Sequence, residues 1–148
     1  MTDQEILTIR WEDYGKDIEE LIENIRDDII RGKKFSKIVA IVRGGLIPSD
    51  YLARKLGIKY VETLCVSSYT ADNTKETDLR VIPNNKEVDP RKDWLIVDDL
   101  VDSGDTMELA KKLYPNSKVA TLYVKPGSPR PDYFVRDVGD VWVRFPWE

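Results

Sequence analysis

Short apolar runs rich in β-branched residues constrain most strongly what this chain can fold into. One of them reads IVAIV at residues 38–42 and is typical of a strand buried on both faces of a sheet. Similar runs span residues 60–66, 95–97 and 119–124. Segments with helical spacing separate most of these runs, which indicates βαβ units with right-handed crossovers. The sequence therefore predicts an α/β fold with a mostly parallel central sheet and helices on both faces.

Helical spacing is clearest in residues 11–30, where apolar residues recur every three or four positions and Gly32 follows as a stop. Its acidic outer face fits a solvated surface. Further helices are predicted at residues 49–56, ended by Gly57, and at residues 107–113. Each of these segments lies between two strand-like runs, as a crossover helix must.

Two segments depart from the alternating pattern. Residues 67–93 are long and polar, which predicts a lid or flexible functional loop, although a tolerated surface insertion is the plainer alternative. Residues 125–148 contain several prolines and the aromatic end VWVRFPWE, which predicts a small C-terminal hood rather than another sheet layer. A chain of 148 residues fits one domain, so residues 1–148 are expected to fold as a unit.

Composition narrows the function classes. The net charge is -4, the pI is about 5.0 and no basic run is present, which argues against a nucleic-acid partner. No segment approaches the ~20 apolar residues of a membrane span, and the N-terminal residues are too polar for a secretory signal, so we expect a cytoplasmic protein without integral membrane association. The chain has no histidine. Any metal should therefore be a hard cation on oxygen ligands. The single Cys65 excludes an intrachain disulfide.

The stretch WLIVDDLVDSGDTM at residues 94–107 combines a strand with a candidate anion site. Ser103, Gly104 and Thr106 precede a predicted helix, so amides, hydroxyls and the helix N-terminus can converge on a phosphate. The loop has no lysine and is not a Walker loop. A plainer interpretation is a strand-to-helix turn in which Asp102 or Ser103 caps the helix.

The acidic pair Asp98 and Asp99 would repel a phosphate bound close by. Two unit charges ~4 Å apart near a protein surface cost roughly 4 kcal/mol at an effective dielectric of about 20. These carboxylates make sense if they accept hydrogen bonds from sugar hydroxyls or hold a divalent cation. The implied ligand combines a phosphate, a diol and a metal-bound polyphosphate.

The segment LIVDDLVDSGDT resembles the phosphoribosyl-pyrophosphate (PRPP) signature of type I phosphoribosyltransferases. Other segments are similar to the 6-oxopurine branch of that family, most closely to its xanthine-guanine members, and these are IVRGGLIPSDYLARKLGI, CVSSYTADN, VKP and VWVRFPWE. The resemblance implies the type I phosphoribosyltransferase fold, Mg²⁺ as cofactor and a homodimer or homotetramer. It also implies purine salvage: transfer of the phosphoribosyl group of PRPP to N9 of xanthine, guanine or hypoxanthine, giving the nucleoside 5'-monophosphate and pyrophosphate.

The resemblance also implies roles for individual residues. The PRPP-binding positions are Arg43 and Gly44 of the pyrophosphate loop, Lys75 of the lid, Asp98 and Asp99, and the phosphate-loop residues Asp102, Ser103, Gly104, Asp105 and Thr106. The metal is expected on Asp99 and Asp98, with Asp99 nearer to it. The base is expected against Asp102, Lys125, Trp142 and Val143, where Lys125 reads O6 and Trp142 stacks on the ring. Asp102 is the catalytic candidate, which handles the proton near N7 as N9 attacks the anomeric carbon.

Three positions differ from the family pattern. Ser103 stands where threonine is usual and keeps the hydroxyl. Asp105 places an acid in the phosphate loop, so its side chain should point away. Lys75 replaces an arginine of the lid.

Simpler alternatives exist for several assignments. Lys125 could simply be a solvated lysine. Trp142 could fill the core or an interface, and Arg43 could be a turn residue. Two rival functions also stay open: a ligand-sensing regulator that kept the fold but lost catalysis, and a phosphoribosyltransferase for another base such as adenine or a pyrimidine. The latter would have little use for an O6-reading lysine.

Overall fold

The computed structural model describes residues 4–68, 79–81 and 93–148. The elements in chain order are β1 (Ile6–Thr8), α1 (Trp11–Ile30), β2 (Lys37–Val42), α2 (Leu46–Leu56), β3 (Tyr60–Ser68), β4 (Leu79–Val81), β5 (Trp94–Val97), β6 (Leu100–Val101), α3 (Asp105–Leu113), β7 (Ser117–Ala120), β8 (Tyr123–Val124), β9 (Arg136–Asp137) and β10 (Trp142–Arg144).

The central sheet has the strand order β4-β3-β2-β5-β7. The strands β3, β2, β5 and β7 run parallel, and β4 pairs antiparallel with β3 at one edge. Ala40, in the middle of β2, lies between Thr63 of β3 and Val97 of β5. The prediction of a mostly parallel central sheet is confirmed.

Two buried clusters lie on opposite faces of this sheet. Ile38, Leu95 and Val97 pack with residues of α1 and α2, whereas Val39 and Ile96 pack with residues of α3. The division follows from the alternation of side chains along a strand. Helices therefore cover both faces, as predicted.

The predicted bounds of α1 agree with the structure, whereas the predicted starts of α2 and α3 differ from it. The helix α2 begins at Leu46, not at residue 49, and contains Pro48 in its first turn. Proline is tolerated there because the first amides of a helix need no intrahelical acceptor. The helix α3 begins at Asp105, not at residue 107, so Thr106 lies inside it. An acid in the first turn favours this start through the helix dipole.

The single strand predicted at residues 119–124 is wrong, because the chain leaves the central sheet after Ala120. The Thr121 N–H donates to the Tyr133 carbonyl at 3.0 Å, and the Thr121 hydroxyl donates to the Tyr123 carbonyl at 3.0 Å. The N–H of Leu122 donates to the Asp99 carbonyl at 3.1 Å. These bonds turn the chain into β8, which belongs to a different sheet.

The C-terminal residues form two small sheets together with earlier strands. One is the parallel sheet β6-β8-β9, and the other pairs β1 with β10 in parallel. We call residues 125–148 the hood. Its Val143 and Phe145 lie in the same buried cluster as Leu21 of α1. The hydroxyl of Tyr133 donates to Asp28 of α1 at 2.6 Å and ties the hood to that helix.

The predicted lid at residues 67–93 lies largely outside the described residues, and Lys75 lies wholly outside them. Within the segment, β4 is described and pairs with the end of β3. In the described ranges no helix combines the length and apolar character that crossing a membrane requires.

Candidate active site

Two loops meet at the carboxyl edge of the parallel sheet. The strand β2 runs into Arg43–Gly44–Gly45, and β5 runs into the acidic pair Asp98 and Asp99. Because β2 and β5 are adjacent and parallel, these loops lie side by side. Ligands of open parallel α/β sheets bind at this edge.

The phosphate loop, residues 102–106, surrounds a cavity of about 100 Å³ at the N-terminus of α3. The lining residues are Ile41, Asp98, Leu100, Val101, Asp102, Ser103, Gly104, Thr106, Met107, Val119 and Thr121. Helix N-terminal amides and hydroxyls suit an anion of phosphate size. Asp105 is exposed and does not line this cavity.

Gly104 holds the phosphate loop against the hood. Its φ of +92° is in the left-handed region, and a Cβ built there would lie 2.6 Å from Cδ of Pro129. Backbone conformation and packing thus both require glycine at this position.

Helix capping explains only part of this loop. The N-cap position of α3 is Gly104. The Ser103 hydroxyl accepts a hydrogen bond from the Asp105 N–H at 3.3 Å. The Asp102 carboxylate instead faces the hood, where its Oδ2 lies 3.6 Å from Nζ of Lys125. Asp102 is therefore not the helix cap, and its orientation needs another reason.

Lys125 is not the solvated lysine of the simpler alternative. Only 11 % of its side chain is exposed, whereas 75 % of the Asp102 side chain is exposed. The Lys125 N–H donates to the Val101 carbonyl at 2.9 Å, and the Ser128 hydroxyl donates to the Lys125 carbonyl at 2.7 Å. These bonds hold the Lys125 backbone, and the mostly buried side chain brings its ammonium group beside an exposed carboxylate.

Main-chain hydrogen bonds fix the acidic pair. The Asp98 N–H donates to the Ala120 carbonyl at 3.1 Å, and the Asp99 carbonyl accepts the N–H groups of Leu122 and Tyr123 at 3.1 Å and 3.2 Å. The Asp99 N–H donates to Oδ1 of Asp98 at 2.8 Å. The turn between β7 and β8 therefore holds both acids at the edge of the sheet.

Desolvation raises the pKa of both acids. For Asp98 the neighbouring charge of Asp99 raises the pKa further. Keeping both carboxylates ionised costs free energy, and a bound cation would lower that cost.

The two acids line different cavities. Asp98 lines the phosphate-loop cavity. Asp99 lines a cavity of about 580 Å³, which we call the wide cavity, and its other lining residues are Arg43, Gly44, Leu46, Ile47, Trp147 and Glu148. The pyrophosphate-loop residues Arg43 and Gly44 thus share a cavity with the acid that the sequence favours for the metal.

The glycines after β2 allow close approach between the two loops. A Cβ at Gly44 would overlap the Asp99 carboxylate, and a Cβ at Gly45 would overlap the carbonyl oxygens of Ile41 and Val97. The Val42–Arg43 peptide is cis. The Arg43 side chain is exposed, while its carbonyl accepts the Leu46 N–H at 3.0 Å. Arg43 is thus a turn residue through its backbone, and its guanidinium is accessible to a ligand.

The candidate base residues lie on β10 of the hood. Trp142 and Val143 pair with Ile6 and Leu7 of β1, and the Trp142 N–H donates to the Glu5 carbonyl at 2.8 Å. Trp142 is 56 % exposed and Val143 is buried. Trp142 is therefore not core filling. Neither residue lines the two cavities described above.

The residues present fit Mg²⁺. Asp98 and Asp99 offer hard oxygen ligands, and a bound cation would offset the cost of keeping these two desolvated carboxylates ionised. In the part of the chain that the structure describes, no group of three or more acid, histidine or cysteine side chains could hold a metal alone. Magnesium is usually bound by one or two carboxylates together with water and substrate phosphates, which agrees with this donor set.

Sequence reasoning missed several residues of these cavities. Thr121 falls inside the strand predicted at residues 119–124, and Leu46 and Ile47 precede the helix predicted at residues 49–56. Trp147 and Glu148 were seen only as part of an aromatic tail. A local signal existed for Leu46 and Ile47, since apolar residues directly after a Gly-Gly turn begin a helix beside the ligand edge. The positions of Trp147 and Glu148 depend on how the hood folds back and have no local signal.

The chain matches the phosphoribosyl transferase domain over residues 10–148. It belongs to the phosphoribosyltransferase family. Curated relatives include the xanthine-guanine phosphoribosyltransferase of Desulfotalea psychrophila, 39% identical over 95% of this chain and 84% of the relative, and that of Nitratidesulfovibrio vulgaris, 36% identical over 98% and 86%. A purine phosphoribosyltransferase from Pyrococcus horikoshii is similar in structure, with a TM-score of 0.80, 28% identity, and coverage of 97% of this chain and 94% of that chain.

Membership places the fold in the type I phosphoribosyltransferase class. The parallel sheet, the acidic pair after β5 and the phosphate loop at α3 agree with that family. The residue roles that the resemblance implied stay predictions, and the structure supplies the geometry on which they can be tested.

Proposed function

We propose that this chain is a purine-salvage phosphoribosyltransferase. It transfers the phosphoribosyl group of PRPP to N9 of xanthine, guanine or hypoxanthine and releases pyrophosphate. The pairing of Asp102 with Lys125, whose Oδ2 and Nζ lie 3.6 Å apart, is the observation that carries the choice of base. The xanthine-guanine names of the relatives support the same choice.

The chemistry of the base edge explains why this pair favours a 6-oxopurine. Guanine presents N7 and O6 side by side, whereas adenine presents an N6 amino donor in place of O6. A lysine ammonium group has only donors and complements O6. Facing adenine, Lys125 would oppose another donor. The pair therefore discriminates by hydrogen-bond polarity rather than by size.

Asp102 is in position to take the proton released by the base. In a base that carries its proton at N7, the N9 lone pair forms the bond to the anomeric carbon while the carbon–oxygen bond to pyrophosphate breaks. The proton at N7 then passes to the Asp102 carboxylate, which is 75 % exposed. A positioned acid-base group contributes roughly 10²–10⁴-fold to rate.

The remaining residues position the sugar and its leaving group. Ser103, Gly104 and Thr106 hold the 5'-phosphate at the start of α3, and Asp98 and Asp99 accept the ribose hydroxyls. Arg43 binds pyrophosphate from the wide cavity. Asp99 and Asp98 would hold Mg²⁺, which supplies positive charge to the leaving group when bound. The exposed face of Trp142 provides a stacking surface for the base.

The decisive experiment is a Mg²⁺-dependent assay of PRPP with xanthine, guanine, hypoxanthine and adenine, in which the nucleoside monophosphate and pyrophosphate are both quantified. We expect product from the oxopurines and none from adenine. Product from adenine or a pyrimidine would show that the enzyme uses another base. Binding of PRPP without turnover of any base would favour the regulator instead.

We also propose that the enzyme works in the cytoplasm as a homodimer or homotetramer. The family resemblance suggests the oligomer, and exposed apolar side chains such as Trp11, Leu46 and Tyr60 are compatible with a subunit interface. Light scattering after size-exclusion chromatography tests the assembly, and a monomeric mass across micromolar concentrations would contradict it.

A further inference from the structure

Tyr14 of α1 carries a buried hydroxyl that packing does not explain. The residue is 4 % exposed, and its hydroxyl has no hydrogen-bond partner among the residues that the structure describes. An unpaired buried hydroxyl costs about 1–3 kcal/mol, whereas phenylalanine at the same position would avoid this cost. The position therefore suggests a ligand-dependent use for the hydroxyl.

The Tyr14 ring contacts a residue that lines the wide cavity. The ring packs edge-on against Trp147, with centroids 5.2 Å apart and planes at 90°. Trp147 lines that cavity together with Asp99. Tyr14 of α1 thus contacts a residue of the cavity that Asp99 also lines.

The direction of the Tyr14 pKa shift also indicates Asp99 as a neighbour. Burial raises the pKa of Tyr14, and the nearby groups Tyr123 and Asp99 raise it further. The Asp99 charge is therefore close enough to act on the Tyr14 hydroxyl. At neutral pH this hydroxyl is protonated and can donate a hydrogen bond.

The ionised Asp99 carboxylate can accept a hydrogen bond from such a donor. A Cβ at Gly44 would overlap its carboxylate, so the carboxylate lies directly against the pyrophosphate loop. Carboxylates that hold metals are usually oriented by a second hydrogen-bonded group. A protonated tyrosine hydroxyl can orient the carboxylate without adding charge.

We propose that Tyr14 is a positioning residue, whose hydroxyl donates to the ionised Asp99 carboxylate directly or through one water and orients it toward Mg²⁺–pyrophosphate in the wide cavity. The ligand named in this inference rests on the proposed function. The geometry rests on the packing of Tyr14 against Trp147.

The test is Tyr14→Phe, with thermal unfolding followed as Mg²⁺ is titrated at a fixed concentration of inorganic pyrophosphate. We expect the Mg²⁺ midpoint to rise roughly tenfold, as for other losses of a hydrogen bond to a metal-binding carboxylate. The melting temperature without ligands should stay the same or rise, because an unpaired hydroxyl has been removed. An unchanged Mg²⁺ midpoint would overturn the proposal.

Tyr133→Phe is the matched control. Its hydroxyl donates to Asp28 at 2.6 Å, and Asp28 lies 14 residues beyond Tyr14 on α1, or about 21 Å along the helix. We expect a lower melting temperature and an unchanged Mg²⁺ midpoint. The two variants should therefore show opposite patterns.

A double variant separates positioning from general structural effects. In an Asp99→Asn background, Tyr14→Phe should no longer shift the Mg²⁺ midpoint. A further shift of similar size would show that the hydroxyl acts elsewhere and would overturn the proposal.

The titration also separates this inference from the proposed function. A wild-type protein that Mg²⁺–pyrophosphate stabilises but that transfers no phosphoribosyl group would refute the function, while the Tyr14→Phe shift would still support the positioning role. Transferase activity together with an unchanged midpoint in the variant would refute the role alone. A wild-type protein that Mg²⁺–pyrophosphate does not stabilise would also overturn the inference.

Discussion

The loops after β5 and β2 reach the same edge of the sheet but are held in different ways. After β5, the main chain of the acidic pair is bonded to Ala120, Leu122 and Tyr123, and Gly104 packs on Pro129 around a cavity of about 100 Å³. After β2, the loop borders a cavity of about 580 Å³ and its arginine is exposed.

This difference suggests a division of work between the two loops. Hydrogen bonds and packing within the protein hold the loop after β5 in place. A loop held in this way can position a sugar phosphate for reaction. The β2 side offers accessible charge and space, which suits a leaving group that must depart. Changes in the phosphate loop on the first side should therefore affect chemistry or stability. Changes in the loop on the second side should affect pyrophosphate binding and, through the contact of Gly44 with Asp99, metal binding.

The largest effect is expected for Asp102→Asn on the β5 side. Turnover should fall about 10²–10⁴-fold, because the amide cannot accept the proton from the base. The fold should survive, since 75 % of the Asp102 side chain is exposed. Steady-state kinetics together with thermal unfolding check both parts, and unchanged turnover would remove Asp102 from its proposed role.

Gly104→Ala should lower stability by about 3 kcal/mol. The left-handed backbone strains alanine, and the new Cβ would overlap Pro129. Urea unfolding measures the loss. Gly104→Ala/Pro129→Ala should lose less than the two single losses added together, because the overlap is then relieved. Strict additivity would show that the hood does not press on this loop.

Gly44→Ala tests the β2 side. The added methyl should displace the Asp99 carboxylate and weaken Mg²⁺-dependent PRPP binding by about 10–100-fold, with little loss of stability. Calorimetric titration of PRPP with Mg²⁺ measures this. The control is Gly15→Ala, whose Cβ would meet no atom within 4 Å and which should gain roughly 1 kcal/mol of helix stability without affecting binding. Equal binding losses in both variants would remove the distinction between the loops.

Asp98→Asn should show the smallest effect, a gain in stability on the order of 1 kcal/mol at neutral pH without Mg²⁺. Burial raises the pKa of Asp98 in the folded state, so its protonated form stabilises the fold. That contribution is complete below the unfolded pKa near 4 and is lost as pH rises through the raised folded pKa. The wild type should lose stability over this window relative to the variant. Parallel stability–pH curves for the two proteins would contradict the prediction.

The sequence predicted those parts of the site that are local in the chain. The apolar run before Asp98 and Asp99 and the small residues at 103–106 indicated a strand, an acidic pair and an anion site within a few positions. The parallel sheet followed from the alternation of elements. These features depend on neighbours in the sequence, so a pattern can reveal them.

Features that depend on distant contacts were not predicted. The break at Thr121 comes from hydrogen bonds to Asp99 and Tyr133, and the overlap at Gly104 involves Pro129 of the hood. The buried hydroxyl of Tyr14 has no signal in the helical spacing of α1. Each needs the hood in place, and the hood has little periodicity in its sequence.

The short ladder between β6 and β8 has a consequence for base selection. Leu100 pairs with Tyr123 and Val101 with Val124, so the proposed proton acceptor Asp102 and the proposed O6 reader Lys125 each come one residue after the same pair. A slip of one residue would turn one of the two side chains to the opposite face. The register of β6 and β8 therefore sets the spacing between Asp102 and Lys125, the two groups proposed to contact adjacent atoms of the purine.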